Sequence, residues 1–292
     1  MTILASGTAN GAVSILHALG TGKGCSTPVK LRTLVNIHDE PRTVLGDEHD
    51  LLSHVSSIWR KNGFPLPSVF GWEIVSDVPI GQGMKSSSAL ACAALRALDK
   101  ASWTGLSDFE IVDLAVEAQI RSGCSITGSM DDTWAAMSPG WKVVDPSVPS
   151  IESILFEGEL ETGLTVMIGL RGRRKIIPDK ESFSRNSQIF DRAFASLING
   201  SILDALSSNG MAVATSTDDF EALRISNLMI ASGALAAGIS GSGPAIAIVC
   251  YEQDKEFLES QLKQFCEQVL ITEFTTCDGL REEYKHGHAI GR

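Results

Sequence analysis

The most restrictive feature of the sequence is a helix pattern over Ser87–Leu98 that has almost no polar face. Small and apolar side chains occur on every side of this segment, so the rest of the chain has to bury the helix completely. A run rich in glycine and serine precedes the helix, and a strand pattern over Phe70–Ser76 precedes that run. The fold must therefore contain a strand, a flexible loop and a core helix in direct succession.

The rest of the chain predicts an α+β protein of two domains. A length of 292 residues suggests two compact units, and prolines and serines near residues 145–150 place a boundary near residue 158. The expected domains are therefore residues 1–158 and 159–292. Alternating polarity predicts a strand over Val29–Ile37, with Thr43–Leu45 as a partner strand. Helices are also predicted over 49–61, from Ser107 to about Ser122, and over 187–207, 217–235 and 255–265, and strands over 151–156, 164–170, 245–251 and 268–276.

The composition excludes several classes of function. A formal net charge of −11 argues against nucleic acid as a partner, because a phosphate-binding surface is basic. The most apolar stretch, residues 230–250, is interrupted by glycines and Pro244, so we expect no membrane span and a cytoplasmic protein. The six cysteines are scattered, which indicates reduced thiols and no zinc site. The tail containing His286 and His288 is expected to be disordered.

The segment Pro79–Ala89 has the chemistry of a polyphosphate site. Its glycines allow the backbone to present N–H groups to an anion, and the N-terminus of the following helix faces the same anion. The Lys85 ammonium and the serine hydroxyls add donors. The spacing is neither that of a Walker A loop nor that of a dinucleotide fingerprint. The alternative interpretation is a glycine turn with a serine helix cap.

Two adjacent carboxylates, Asp131 and Asp132, lie among glycine and small residues. Phosphoryl transfer to a hydroxyl depends on positioning and on charge stabilisation, and one carboxylate can accept or orient the hydroxyl proton. The alternative is that one of these aspartates caps a short helix containing Trp134.

Three parts of the sequence resemble the GHMP kinases, the superfamily of galactokinase, homoserine kinase and the mevalonate kinases. The segment Pro79–Ala89 resembles the phosphate-binding motif of that superfamily, and Ile239–Ala245 resembles its late glycine-rich motif. The opening Ser6–Asn10, taken with Gly20–Gly24, is similar to the archaeal-type shikimate kinase branch. The resemblance covers most of the chain in order. It implies a two-domain GHMP kinase fold, with an N-terminal domain like domain 2 of ribosomal protein S5 and a ferredoxin-like C-terminal domain.

The resemblance also implies a function and a set of site residues. The expected reaction is transfer of the γ-phosphate of ATP to the 3-hydroxyl of shikimate, with Mg²⁺ as cofactor. Another acceptor, such as homoserine or mevalonate, stays open, as does a non-catalytic sensor of nucleotides or metabolites on the same fold. The sequence leaves the oligomeric state undecided. The expected nucleotide contacts are Pro79, Gly81, Gly83, Met84, Lys85, Ser86, Ser87, Ser88, Ala89, Gly241 and Gly243.

The remaining roles are divided among acidic and basic residues. Asp131 falls on the catalytic aspartate of the superfamily and acts with Lys85, whereas Glu117 and Ser87 are the expected magnesium ligands. Glu117 also lies four residues before Arg121, which is the spacing of an ordinary surface ion pair. The substrate carboxylate requires a cation, and the candidates are Lys23, Arg171, Arg173 and Arg174. The basic run after residue 170 is alternatively a solvated loop or a contact to nucleotide phosphate.

Overall fold

The computed structural model describes residues 2–125, 127–172 and 179–277. The expected substrate residues Arg173 and Arg174 and the tail with His286 and His288 lie outside these ranges. The strands are β1 (Ile3–Leu16), β2 (Gly24–His38), β3 (Gly71–Ser76), β4 (Trp141–Val144), β5 (Ile154–Gly158), β6 (Leu164–Leu170), β7 (Ala236–Ile239), β8 (Ile246–Tyr251) and β9 (Gln268–Glu273). The helices are α1 (Ala18–Thr21), α2 (Leu51–Lys61), α3 (Ser86–Ser102), α4 (Asp108–Arg121), α5 (Met130–Met137), α6 (Ser150–Ser153), α7 (Lys180–Arg185), α8 (Ser187–Ile198), α9 (Ile202–Ser216), α10 (Phe220–Ala231) and α11 (Lys255–Leu262).

The strands form two antiparallel sheets. The first has the order β1-β2-β4-β5, and β3 pairs with the C-terminal part of β2. The second has the order β7-β8-β6-β9. A bridge between Val29 and Phe274 connects β2 to the end of β9, and the amide of Thr275 donates to the carbonyl of Pro28 at 2.9 Å. The two sheets are therefore joined through the backbone.

The core helix behaves as its sequence predicts. Helix α3 lies against β1 and β2, and its side chains from Ala89 to Leu95 are at most 7% exposed. The helix approaches β1 closely at Gly7, where an added Cβ would lie 2.1 Å from the carbonyl oxygen of Ala93. Only glycine allows that approach. The capping box at the start of α4 is also confirmed, because Ser107 and Glu110 bond reciprocally.

Several predicted elements are wrong in detail. Residues 43–45 form no strand, because β2 finds its partners in β1, β3 and β4. The helix predicted over 187–207 is two helices, divided where Gly200 adopts a φ of +81°. The strand predicted over 151–156 begins only at Ile154, after the short helix α6. Strands β1, β4 and β7 lie outside the predicted strands. In the described part of the chain, no helix is long and apolar enough to cross a membrane.

Candidate active site

The glycine-rich segment before α3 forms an open loop. This loop and the first residues of α3 are together called the phosphate loop (residues 79–88). Gly81, Gly83 and Lys85 have left-handed backbone conformations, with φ of +70°, +82° and +66°. A Cβ on Gly83 would lie 2.1 Å from the carbonyl oxygen of Ser240, so only glycine fits there. The loop leads directly into α3, which begins at Ser86. The free N–H groups and the positive dipole end of a 17-residue helix therefore lie beside the loop.

The loop forms one wall of a cleft of about 460 Å³. The expected nucleotide contacts that line the cleft are Gly81, Gly83, Lys85, Ser86, Ser87, Ser88 and Gly241. Pro79, Met84, Ala89 and Gly243 are not among its lining residues. The side chains of Met84 and Ala89 are fully buried in the core. These two residues therefore attach the loop to the core. The expectation that they contact the nucleotide is corrected.

The late glycine-rich motif closes over the phosphate loop. The Ser240 hydroxyl donates to the carbonyl of Gly83 at 2.9 Å, and the amide of Ala245 donates to the carbonyl of Gln82 at 3.2 Å. A Cβ on Gly241 would lie 3.0 Å from Lys85 Nζ, so this glycine makes room for the ammonium. Residues far apart in the chain thus form one continuous rim of the cleft.

The two aspartates lie in the first turn of α5, on the cleft side. Asp131 and Asp132 are 7% and 9% exposed. The Ser26 hydroxyl, on β2, lies 3.1 Å from Asp131 Oδ2 and 2.7 Å from Asp132 Oδ1. Lys85 Nζ lies 2.8 Å from Asp132 Oδ1. The phosphate loop and the carboxylate pair therefore meet at one buried ion pair.

The environments of the two aspartates push their pKa values in opposite directions. Burial, together with the neighbouring charge of Asp132, raises the pKa of Asp131 to about 7. Burial also opposes ionisation of Asp132, but the attraction and hydrogen bond of Lys85 outweigh it and lower the pKa of that carboxyl. The pair consequently combines a carboxylate whose ionised form Lys85 stabilises with one that titrates near neutral pH, as a proton acceptor requires.

The absence of a side chain at Gly24 allows Asp131 to lie close to β2. A Cβ on Gly24 would lie 2.4 Å from Asp131 Cγ, so the glycine after Lys23 makes space for the carboxyl. The Lys23 side chain itself pairs with Asp145 and lowers the pKa of that residue to about 2. Lys23 is not among the lining residues of the cleft. Its expected contact with the substrate carboxylate therefore requires that this ion pair open.

The Arg171 side chain forms its ion pairs outside the cleft. Its guanidinium makes a bidentate pair with Asp219 at 2.8 and 2.9 Å and a longer contact with Glu221 at 3.4 Å. The side chain is only 9% exposed. Because two carboxylates already neutralise it and it does not line the cleft, Arg171 is not positioned to receive the substrate carboxylate, and that expectation is corrected.

The magnesium ligand expected on α4 is also displaced. Glu117 pairs with Lys61 at 3.2 Å and with Arg121 at 2.5 Å, outside the cleft. The residue of α4 that lines the cleft is Gln119, whose Oε1 accepts from the Ser88 hydroxyl at 2.8 Å. The side chains of residues two positions apart on a helix point in directions about 200° apart. Glu117 and Gln119 therefore face different surroundings. Glu117 is therefore not placed to hold a metal ion at the phosphate loop.

The donors that remain still suit magnesium. Ser87 and the two aspartates supply hydroxyl and carboxylate oxygens along the cleft, and Mg²⁺ commonly takes only one or two protein carboxylates beside phosphate oxygens and water. Among the described residues, no group of three or more histidine, cysteine or acidic side chains is placed to hold a metal alone. A magnesium ion at this site would therefore depend on the nucleotide for much of its coordination.

Several residues at the site are absent from the sequence-based expectations, and four of them make defined contacts there: His17, Ser26, Gln119 and Ser242. Gln119 and Ser26 are fixed by long-range contacts, and no local pattern marks them. His17 and Ser242 are joined across 225 positions by a contact of 3.0 Å between Nε2 and Oγ. Ser242 could have been found, because it lies inside the late glycine-rich motif.

Comparison with known proteins agrees with this architecture. Residues 53–140 match the family model "GHMP kinases N terminal domain", and residues 221–268 match "GHMP kinases C terminal". The mevalonate kinase of Methanococcus jannaschii has a similar structure, with a TM-score of 0.72 at 13% identity over 93% of this chain and 98% of that one. Leishmania major mevalonate kinase in complex with R-mevalonate gives a TM-score of 0.68 at 14% identity over 93% and 96%. At these identities the likeness concerns the fold.

The fold, the phosphate loop and the carboxylate pair define an ATP-dependent small-molecule kinase of the GHMP type. The shikimate kinase of Pyrococcus abyssi is 32% identical over 270 residues, which is 87% of this chain and 94% of that protein. The shikimate kinase of Methanothermobacter thermautotrophicus is 25% identical over 90% of this chain and 92% of that protein. The chain belongs to the archaeal-type shikimate kinase family of the GHMP superfamily.

Proposed function

We propose that this protein transfers the γ-phosphate of ATP to the 3-hydroxyl of shikimate. The observation that carries the proposal is the ion pair between Lys85 and Asp132, which brings the phosphate loop and the buried carboxylates to one point of one cleft. The relatives from Pyrococcus abyssi and Methanothermobacter thermautotrophicus, which are similar in sequence over most of the chain, are shikimate kinases, and this supports shikimate as the acceptor.

The phosphate loop supplies the binding energy for the triphosphate. Its backbone N–H groups and the N-terminus of α3 bind phosphate oxygens, because both present unpaired donors and positive partial charge. The Lys85 side chain extends from the loop to the aspartates, so its ammonium is placed beside the group that is transferred. Its charge stabilises the negative charge on the terminal phosphate as the bond to the leaving ADP oxygen breaks.

Asp131 is the proton acceptor in this proposal. The acceptor hydroxyl attacks the terminal phosphorus, the bond between phosphorus and the ADP oxygen breaks, and the hydroxyl proton passes to Asp131. A pKa of about 7 makes the carboxyl basic enough to take that proton at neutral pH. Ser87 and Asp132 are the residues that would hold magnesium, and the ion would neutralise phosphate charge when bound.

The nucleoside fits beside the phosphate loop. A second cleft of about 270 Å³ adjoins the first. The two clefts share the lining residues Glu48, His49, Ile80, Ser86 and Ser87. The other walls of the second cleft include the apolar side chains of Leu45 and Ile74. An apolar slot next to a phosphate site is typical of the place where an aromatic base binds. We infer that it takes the adenosine part of ATP.

The test is an assay of ADP release with shikimate, homoserine, mevalonate and galactose as acceptors. We expect turnover with shikimate and a rate at least about 100-fold lower with the others, since each lacks the shape or the charge of shikimate. Turnover with another acceptor alone would keep the kinase class and refute the acceptor. ATP binding without turnover of any acceptor would favour a sensor.

The variant Asp131→Asn tests the role of the proton acceptor. We expect kcat to fall by about 100-fold or more while ATP still binds, because the amide cannot take a proton but preserves the shape of the side chain. An unchanged kcat would refute the assignment. Glu117→Gln is the matched control: it removes a carboxylate outside the cleft and is expected to leave kcat unchanged.

A further inference from the structure

His17 occupies a fixed position at the end of β1, although it is far in sequence from the other site residues. Its backbone N–H donates to Asn209 Oδ1 at 2.9 Å, which ties it to α9. Its ring packs on Phe183, with ring centroids 4.7 Å apart and planes inclined by 53°. The ring lines the cleft. Contacts from the second half of the chain therefore set the direction in which its ring nitrogens point.

The hydrogen bonds at the ring determine which nitrogen carries the hydrogen. The amide of Leu19 donates to His17 Nδ1 at 3.3 Å, so Nδ1 presents its lone pair. The neutral ring then carries its hydrogen on Nε2, which lies 3.0 Å from Ser242 Oγ. The doubly protonated ring would also carry a hydrogen on Nε2. In either form His17 donates and the Ser242 oxygen accepts.

Because the Ser242 oxygen accepts from His17, the hydroxyl hydrogen of Ser242 points away from the His17 ring and can be donated to another group. Ser242 lines the cleft, and among the described residues the His17 ring is the side chain that bonds to its hydroxyl. The residue before it, Gly241, lies against Lys85 Nζ, and Ser240 is bonded to the phosphate loop. The Ser242 hydroxyl is thus held at the rim of the cleft on the side where Lys85 meets the aspartates.

We propose that His17 is a positioning residue, which orients the Ser242 hydroxyl so that it donates to the terminal phosphate of the bound nucleotide. The inference rests on the proposed function, since it assumes that this phosphate lies between the loop and Asp131. A hydroxyl with a free lone pair and a rotating hydrogen can act as acceptor or donor. Because His17 occupies its oxygen, Ser242 becomes a directed donor toward an anion, and a hydrogen bond to a charged group is among the stronger ones.

The test compares nucleotides that differ only in the terminal phosphate. Calorimetry measures the affinities of the β,γ-imido analogue of ATP and of ADP for the wild type and for Ser242→Ala, His17→Leu and the double variant. We expect the preference for the triphosphate analogue to fall by about tenfold in each single variant, with little further loss in the double variant. His17→Gln, whose amide can donate, is expected to restore part of the preference.

Three results would overturn the inference. Equal weakening of both nucleotides would indicate that the pair only supports the fold, and an unchanged preference would exclude contact with the terminal phosphate. Steady-state kinetics then distinguish a contact with the nucleotide from a contact with the acceptor. In the single variants we expect kcat to fall by about 10- to 100-fold, with little change in KM for the acceptor. A rise in acceptor KM alone would place the pair on the acceptor. The binding arm requires no turnover, so a wrong acceptor assignment would appear separately, as a wild type inactive with shikimate.

Discussion

The paired aspartates lead to a quantitative expectation for the pH dependence of the reaction. In the wild type the rate should rise with pH as Asp131 loses its proton near a pKa of about 7, because only the ionised carboxylate can accept the hydroxyl proton. The variant Asp132→Asn removes the neighbouring negative charge and keeps an oxygen that can accept from Ser26 and Lys85. The pKa of Asp131 must then fall.

The size of that fall follows from the geometry. Both carboxylates contact the same Ser26 oxygen, at 3.1 and 2.7 Å. Two charges about 5 Å apart interact by about 3 kcal/mol at an effective dielectric constant of about 20, which corresponds to about 2 pH units. The acidic limb of the profile should therefore move from about pH 7 toward about pH 5, and the loss of the partner of Lys85 should lower the maximum rate.

The assay is kcat/KM for the acceptor measured between pH 5 and pH 9, since this quantity reports the ionisation of the free enzyme. Glu117→Gln, which removes a carboxylate outside the cleft, is the control for a general effect of net charge. If the acidic limb of Asp132→Asn stays where the wild type has it, the reasoning that couples the two carboxylates is wrong.

Three further perturbations test separate parts of the site. Ser26→Ala should move the acidic limb of the profile upward, because it removes a hydrogen bond that favours the ionised form of Asp131; a downward shift would contradict this. Gly83→Ala should abolish measurable ATP binding by calorimetry, since its Cβ would collide with the carbonyl of Ser240 at 2.1 Å; wild-type affinity would contradict the close approach. Arg171→Met should lower the free energy of unfolding, measured by denaturant titration, by about 3 kcal/mol, because the arginine forms a buried ion pair with Asp219. The KM for the acceptor should stay unchanged. A selective rise in that KM would indicate that Arg171 binds the substrate.

Local patterns predict the parts of the protein whose causes are local. The apolar run over Ser87–Leu98 predicts a buried helix because every face of it is apolar, and the structure confirms this. The Ser107 capping box predicts the start of α4 because both of its bonds are made within four residues. The glycines of the phosphate loop predict a backbone that can bend to present its N–H groups, and Gly81 and Gly83 adopt left-handed conformations there.

Tertiary structure decides the rest of the site. Arg171 is a plausible anion binder in sequence, but Asp219 comes within hydrogen-bonding distance only after folding. Glu117 and Gln119 are two residues apart on the same helix, and the packing of α4 decides which of them faces the cleft. His17 and Ser26 have no sequence signal because their partners are distant in the chain. Residue type therefore predicts which chemistry is available, and packing selects the residues that perform it.

The hydrogen bonds from Ser240 and Ala245 to the phosphate loop affect the order in which the enzyme folds during synthesis. The loop leaves the ribosome about 160 residues before the turn between β7 and β8, which carries these two donors. A nascent chain that has completed only its first sheet would hold the glycine turn without the rim that shapes it. We therefore expect nucleotide to stabilise the protein fully only once the turn between β7 and β8 has bonded to the phosphate loop.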